Sequence, residues 1–191
     1  MSPSLPPTSS VDQSRAHAGG HMAARDVNVT NILPRSVGVV EALLNKLHDE
    51  MRSDLQVAAR IERLQRYYVQ RAHDGVIGLE AKLAKAGRED SYLDAIEMKE
   101  MFVKILERWS LYASAQQIFV HLLARAERNF SDVILPQVAS LDRTQVNSLI
   151  KELIVDPTVT DCGSSVFEID HNTATGMVYW LAEQCFVRWH K

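Results

Sequence analysis

From Ser36 onward, apolar residues recur in steps of three and four. Val40, Leu44, Leu47, Met51, Leu55, Ala58, Ile61, Leu64 and Tyr68 keep this rhythm, which lines up one face of an α-helix. The run is long for a single helix, and a break near residues 48–54 is expected. Gly75, Gly78 and Gly87 punctuate the next stretch and isolate a short helix over residues 79–86. A long helix follows from about Tyr92 to Tyr112, burying Ile96, Phe102, Ile105, Leu106 and Trp109. Ser114 and Gln117 have capping-box spacing and open a helix that buries Ile118, Phe119, Leu122, Leu123, Ala126 and Phe130. Pro136 limits it, because proline lacks an N–H and does not fit mid-helix. Asp142 and Gln145 repeat the capping pattern ahead of Val146, Leu149, Ile150, Leu153 and Ile154, with Pro157 as the expected stop. Residues 158–171 read as loop or a short strand, and a last helix runs from about Asn172 to Cys185.

The pattern before Ser36 is different. Residues 1–18 are rich in Ser and Pro with little to bury, which marks a disordered leader. In residues 19–35, Val27 and Val29 alternate with Asn28 and Thr30 in the manner of a short β-like segment. The expected fold is therefore all-α: a single domain of about six to seven amphipathic helices over residues 36–191. No repeat period suggests a solenoid.

Composition narrows the functional classes. With 191 residues, 46% hydrophobic, the chain can bury one good core. A net charge of −3 gives no overall attraction to a polyanion, so nucleic acid enters only indirectly or through a local patch. Cys162 and Cys185 are the only cysteines and form no Cys-x-x-Cys pair, as in a reduced, cytoplasmic protein. No apolar run reaches membrane-spanning length and no secretory signal opens the chain, so no membrane partner is expected.

Scaffolds for zinc hydrolysis, nucleotide hydrolysis and serine acyl transfer are missing from the sequence. His17 and His21 share a spacing suited to metal but lack a third ligand, so neither a metal nor a cofactor is expected. Glu97, Glu100 and Glu107, interleaved with Lys99 and Lys104, read as a solvated, ion-paired face. The cysteines read as packing residues, since apolar surroundings disfavour a thiolate. A basic stripe stands out: Arg60, Arg63, Arg66 and Arg71 fall on overlapping faces of one expected helix, with His73 seven residues after Arg66. Such a stripe binds acidic groups of a partner or holds phosphates. The Arg66–His73 pair is also loosely similar to that of small all-α HEPN ribonucleases, although its spacing is longer and the polar residue after the Arg is missing.

The C-terminal stretch "GMVYWLAEQCFVRWHK" concentrates aromatic residues where most chains fray. Met177, Val178, Trp180, Leu181, Ala182 and Cys185 cover most of the last helix, so it must be enclosed on several sides, and Gly176 admits a close neighbour. Trp180, Phe186, Val187, Arg188, Trp189 and His190 have the make-up of interface anchors, or of a core that the tail completes.

Taken in order, "IGLEAKLAKAGRED", "AIEMKEMFVKILERWSLYASAQQIFVHLLARAERNF", "ILPQV" and the C-terminal stretch resemble the C-terminal domain family of ABC-three-component systems; "AGGHMAARDVNVTN" resembles the stretch preceding that domain in some members. The resemblance covers about residues 19–191. It implies a bacterial antiviral or anti-plasmid defence complex in which this protein meets a co-encoded ABC/SMC-like ATPase and a small middle component. Larger relatives carry an effector module before this domain, and residues 1–35 are too short for one, which argues against direct toxicity. The expected role is a non-catalytic helical subunit, a homo-oligomerising scaffold or adaptor. The alternative is a small all-α ribonuclease or toxin using Arg66 and His73.

Overall fold

The computed structural model describes residues 38–70 and 75–190, all helix, turn and coil with no strand among them. The leader and the β-like segment of residues 19–35 lie outside the described residues. Helix α1 (Val39–Arg52) buries Val40 and Leu47. The chain then leaves helical geometry for residues 53–61, a break that begins within the expected window and extends beyond it, and forms a short α2 (Glu62–Gln65) that tightens into a 3-10 turn, Arg66–Tyr68. Next come α3 (Leu79–Lys85), α4 (Tyr92–Trp109) and α5 (Ala113–Asn129). Beyond α5, a π-turn (Phe130–Ile134) and a 3-10 turn (Leu135–Gln137) end the rod at Pro136, as expected. Helix α6 (Arg143–Ile150) opens with the expected capping box. Asp142 accepts from the Gln145 N–H at 2.8 Å, and the Gln145 side chain accepts from the Asp142 N–H at 2.9 Å.

Two sequence expectations give way to long-range contacts. Ser114 does not cap α5: the N-cap position is Tyr112, without a side-chain bond. The buried carboxylate of Glu50, on α1, instead accepts from the Ser114 N–H at 3.0 Å and from its hydroxyl at 2.8 Å. A full negative charge at the start of a helix meets free N–H groups and the positive end of the dipole. Pro157 does not stop the second rod either. Helix α6 passes through a π-turn (Lys151–Val155) into α7 (Asp156–Cys162), so residues 158–162 are helical rather than loop or strand. Proline at 157 cannot donate to the carbonyl four residues back. Asn129 supplies the missing donor, its side-chain amide reaching the Leu153 carbonyl at 2.7 Å.

Helix α8 (His171–Glu183) lies along α4, and α1 along α5. Eight of the thirteen α8 residues are buried, as the nearly all-round apolar surface required. Gly176 sits where α8 meets α4 at closest approach: a Cβ added there would lie 1.9 Å from the Met98 carbonyl oxygen. An aromatic seam runs through the centre. Phe102 meets Phe119 at 6.3 Å and Trp180 at 5.8 Å, while Phe167 bridges Phe119 at 5.2 Å and Trp109 at 5.5 Å. Burying each such ring contributes about 1.5–3 kcal/mol, with edge-on and tilted pairing adding to it.

The end of α8 reverses the chain. Cys185 takes a left-handed φ of 65°, its N–H bonds the Ala182 carbonyl at 3.0 Å, and the Phe186 N–H returns to Leu181 at 2.8 Å. This is the Schellman arrangement, here without its usual glycine. Helices α3 and α8 also cap each other. Glu183 accepts from the Leu79 N–H at 2.8 Å, and the buried Lys82 ammonium donates to the Ala182 carbonyl at 2.5 Å.

Candidate functional site

The two features singled out in the sequence meet in space. Tyr67 packs on Phe186 at 4.8 Å between ring centres, and Tyr68 sets its edge against Trp180 at 5.4 Å. The Arg66 guanidinium lies 5.3 Å from the centre of the Phe186 ring. Gln70 donates to the Glu183 carbonyl at 3.0 Å. The segment reaches this position because Gln116, fully buried on α5, accepts from the Ile61 N–H at 2.6 Å and donates to the Ala59 and Ser110 carbonyls. One amide side chain thus satisfies two backbone groups of a stretch with no regular structure and ties it to the end of α4 at Ser110.

The arginines do not form a free stripe on one helix. Arg60 precedes α2 and pairs with Glu107 of α4 at 2.5 Å, its guanidinium 4.2 Å over the Tyr68 ring. Arg66 pairs with Glu127 of α5 at 2.7 Å. Arg63 is exposed, and Arg71 and His73 lie outside the described residues. Glu107 and Glu127 also accept from Tyr68 and Tyr67 at 2.8 and 2.9 Å. Burial raises the Tyr67 phenol to about 12 and the carboxylate adds to it, so both tyrosines stay neutral donors; Tyr68 is shifted the same way. Each of these two cations is thus met by a carboxylate of the same fold while its side chain stays partly exposed.

The C-terminal residues complete this chain's own core. Trp180, Val187, Trp189 and His190 are buried, and Phe186 and Arg188 are half-buried. Exposed apolar side chains remain beside them: Val69 and Ile77 flank the point where Gln70 and Leu79 converge on Glu183, and both are more than half exposed. Cys162 is fully buried, and burial pushes its thiol up to about 12. No group of three or more His, Cys, Asp or Glu gathers for a metal among the described residues, and no helix among them is long and apolar enough to cross a membrane.

A cleft that the sequence did not reveal opens on the other side of the C-terminal segment. It has a volume of about 270 Å³ and is walled by Tyr179, Trp189, Val178, Ile150 and Val155. The returning chain makes one wall, because Trp189 folds back to 5.8 Å from Tyr179 and 6.1 Å from Phe130. Arg88, from the turn after α3, enters it with only 9% of its surface exposed. Its guanidinium donates to Asn147 at 2.8 Å and lies 5.7 Å from the centre of the Trp189 ring. Burial lowers its pKa, as does the neighbouring Arg143 charge. At the rim, Lys151 binds Asp156 at 2.7 Å, with His171 3.4 Å from the other oxygen of the same carboxylate. The Lys151 bond first, then the two positive fields, hold the Asp156 carboxyl below its usual range. The π-turn carries both Lys151 and Val155 into this lining, and such turns recur at functional sites.

A family model, that of C-terminal domain 9 of the ABC-three component (ABC-3C) systems, matches residues 78–189. The match runs from the start of α3 through the returning C-terminal segment. It takes in all the cleft residues and leaves out Arg60, Arg63 and Arg66. No curated protein and no solved structure matches the chain.

Proposed function

This chain belongs to the C-terminal domain 9 family of ABC-three component systems, and we propose that it serves there as a non-catalytic helical subunit. In this reading it is an adaptor or oligomerisation scaffold in an antiviral or anti-plasmid complex in the cytoplasm, joined to a co-encoded ABC/SMC-like ATPase and a small middle component. The family match over residues 78–189 carries the reading, because the description names a place within a multi-component system rather than a reaction. The geometry agrees with it. Arg60 and Arg66, candidate phosphate or catalytic groups, are bound to Glu107 and Glu127 of the same fold. Val69 and Ile77 are exposed apolar residues near Gln70 and Leu79, which both bind Glu183, and Arg66 lies over half-buried Phe186; apolar and arginine side chains together are the composition of a partner surface.

The test is to express the tagged protein with its neighbouring genes, purify it gently and identify by mass spectrometry what accompanies it. The expected result is an ABC-type ATPase and a small middle component at fixed ratio, lost on Val69→Glu with Ile77→Glu while the helical circular dichroism persists. A strictly monomeric protein that recovers neither component overturns the proposal.

A further inference from the structure

The cleft at Arg88 holds a charge without an ion-pair partner, Asp90 acting on it only at longer range. Among the described residues no carboxylate lies within ion-pair distance of its guanidinium, whereas Arg143 has Asp90, Lys151 has Asp156 and Arg125 has Asp161. Desolvating a cation without an anion is costly, and the single neutral bond to Asn147 offsets only part of that cost. The Trp189 ring, 6% exposed and 5.7 Å from the guanidinium, is the other contact Arg88 has at this wall. Buried polar groups in native folds are nearly always paired. Arg88, nine-tenths buried at the wall of an open cleft with one neutral partner, is the group that a ligand would complete.

The charges select the ligand. Lys151 is matched by Asp156 and Arg88 by no carboxylate, so among the permanently charged groups at the cleft one positive charge is in excess, which suits a monoanion better than a phosphate dianion. A guanidinium's parallel N–H groups match the two oxygens of a carboxylate. The walls of Tyr179, Trp189, Ile150, Val155 and Val178 suit an apolar or aromatic body. The volume of about 270 Å³ falls just below the ~300–1,000 Å³ typical of drug-sized ligands, and so fits a single residue. We propose that this cleft binds a carboxylate borne on an apolar body the size of one amino-acid residue, with Arg88 as the anion-binding group. Both a free small carboxylic acid and the C-terminal residue of a peptide present this chemistry. The site does not depend on the adaptor role.

The test uses the full chain with N-acetyl-phenylalanine, its uncharged amide, inorganic phosphate, and a short peptide ending in phenylalanine with its terminus free or amidated. Binding is followed by the NMR signals of the Trp189 indole N–H and the Thr175 and Val178 amides. The acid is expected to shift them saturably and the amide to bind at least about tenfold more weakly. Arg88→Gln should cost the acid a similar factor. Thr175→Phe, which fills the cleft from the half-exposed face of α8, should abolish binding with the thermal melt unchanged, so that a folding defect in the Arg88 variant cannot imitate the result. A free-acid peptide that binds more tightly than N-acetyl-phenylalanine identifies the source as a chain end, and equal binding identifies it as a small acid. No saturable shift by about 10 mM, equal binding of acid and amide, or a preference for phosphate overturns the proposal.

Discussion

Replacing Gly176 with alanine adds one methyl group to a helix interior, where alanine is favoured by about 1 kcal/mol. Propensity alone therefore makes Gly176→Ala stabilising. The structure opposes that sign. The new Cβ would sit 1.9 Å from the Met98 carbonyl oxygen and 2.5 Å from its carbon, both backbone atoms of α4 that cannot rotate away. Reaching even 3.0 Å requires α4 and α8 to part by about 1 Å on that line, along the seam that holds Phe102 against Trp180. Overpacking a close-packed interior costs about 1–3 kcal/mol, and a contact with main chain on both sides belongs at the top of that range. After the propensity gain, the variant should be less stable by about 1–2 kcal/mol, a fall in Tm of roughly 2–8 °C for a domain of this size. Denaturant unfolding followed by the fluorescence of Trp109, Trp180 and Trp189 measures it. A variant as stable as the parent, or more so, would refute the close crossing and with it the reason for glycine at this position.

Gln116→Leu keeps the volume but orphans the Ile61 N–H and the Ala59 and Ser110 carbonyls, so residues 53–61 should be cut faster by protease at unchanged helix content; an unchanged cleavage rate would show that other contacts hold the stretch. Cys162 should resist thiol reagents at pH 8 in the native state. Its folded pKa of about 12 lies above an unfolded value near ~8.5, so its contribution to stability is whole below about pH 8.5 and declines as pH rises towards 12. Cys162→Ala should flatten the pH dependence of stability in that interval, and an identical slope sinks the assignment. Asp170 caps α8 by accepting from the Thr173 N–H at 2.7 Å, and that bond holds its carboxyl below the usual range. Asp170→Ala should cost about 0.5–2 kcal/mol at pH 7. Because the folded pKa is depressed, that difference is present above about pH 4 and should shrink as pH falls through the folded value; a difference that persists in acid would point to lost packing instead.

The helices and their buried faces were legible in the sequence because periodicity is a local signal, strongest where Phe119, Leu122, Leu123 and Ala126 repeat. The departures share one cause, a partner distant in sequence. The cap of α5 comes from Glu50, 64 residues before Ser114. The rod survives Pro157 because Asn129, from another helix, supplies the donor. The arginines looked free because Glu107 and Glu127 meet them only once α4 and α5 have packed. The cleft was invisible for the same reason: Arg88, Asn147, Lys151, Tyr179 and Trp189 come from four separate stretches of chain, and each reads alone as an ordinary surface or core residue.

The mutual capping of α3 and α8 has a mechanical consequence. Leu79 and Lys82, at the beginning of the family segment, are fastened to Glu183 and Ala182, near its end. Separating Leu79 and Lys82 from the end of α8 therefore requires breaking both bonds, one of them from a buried ammonium. A fold clasped near its own entrance and exit is held closed there as a buckle holds a strap.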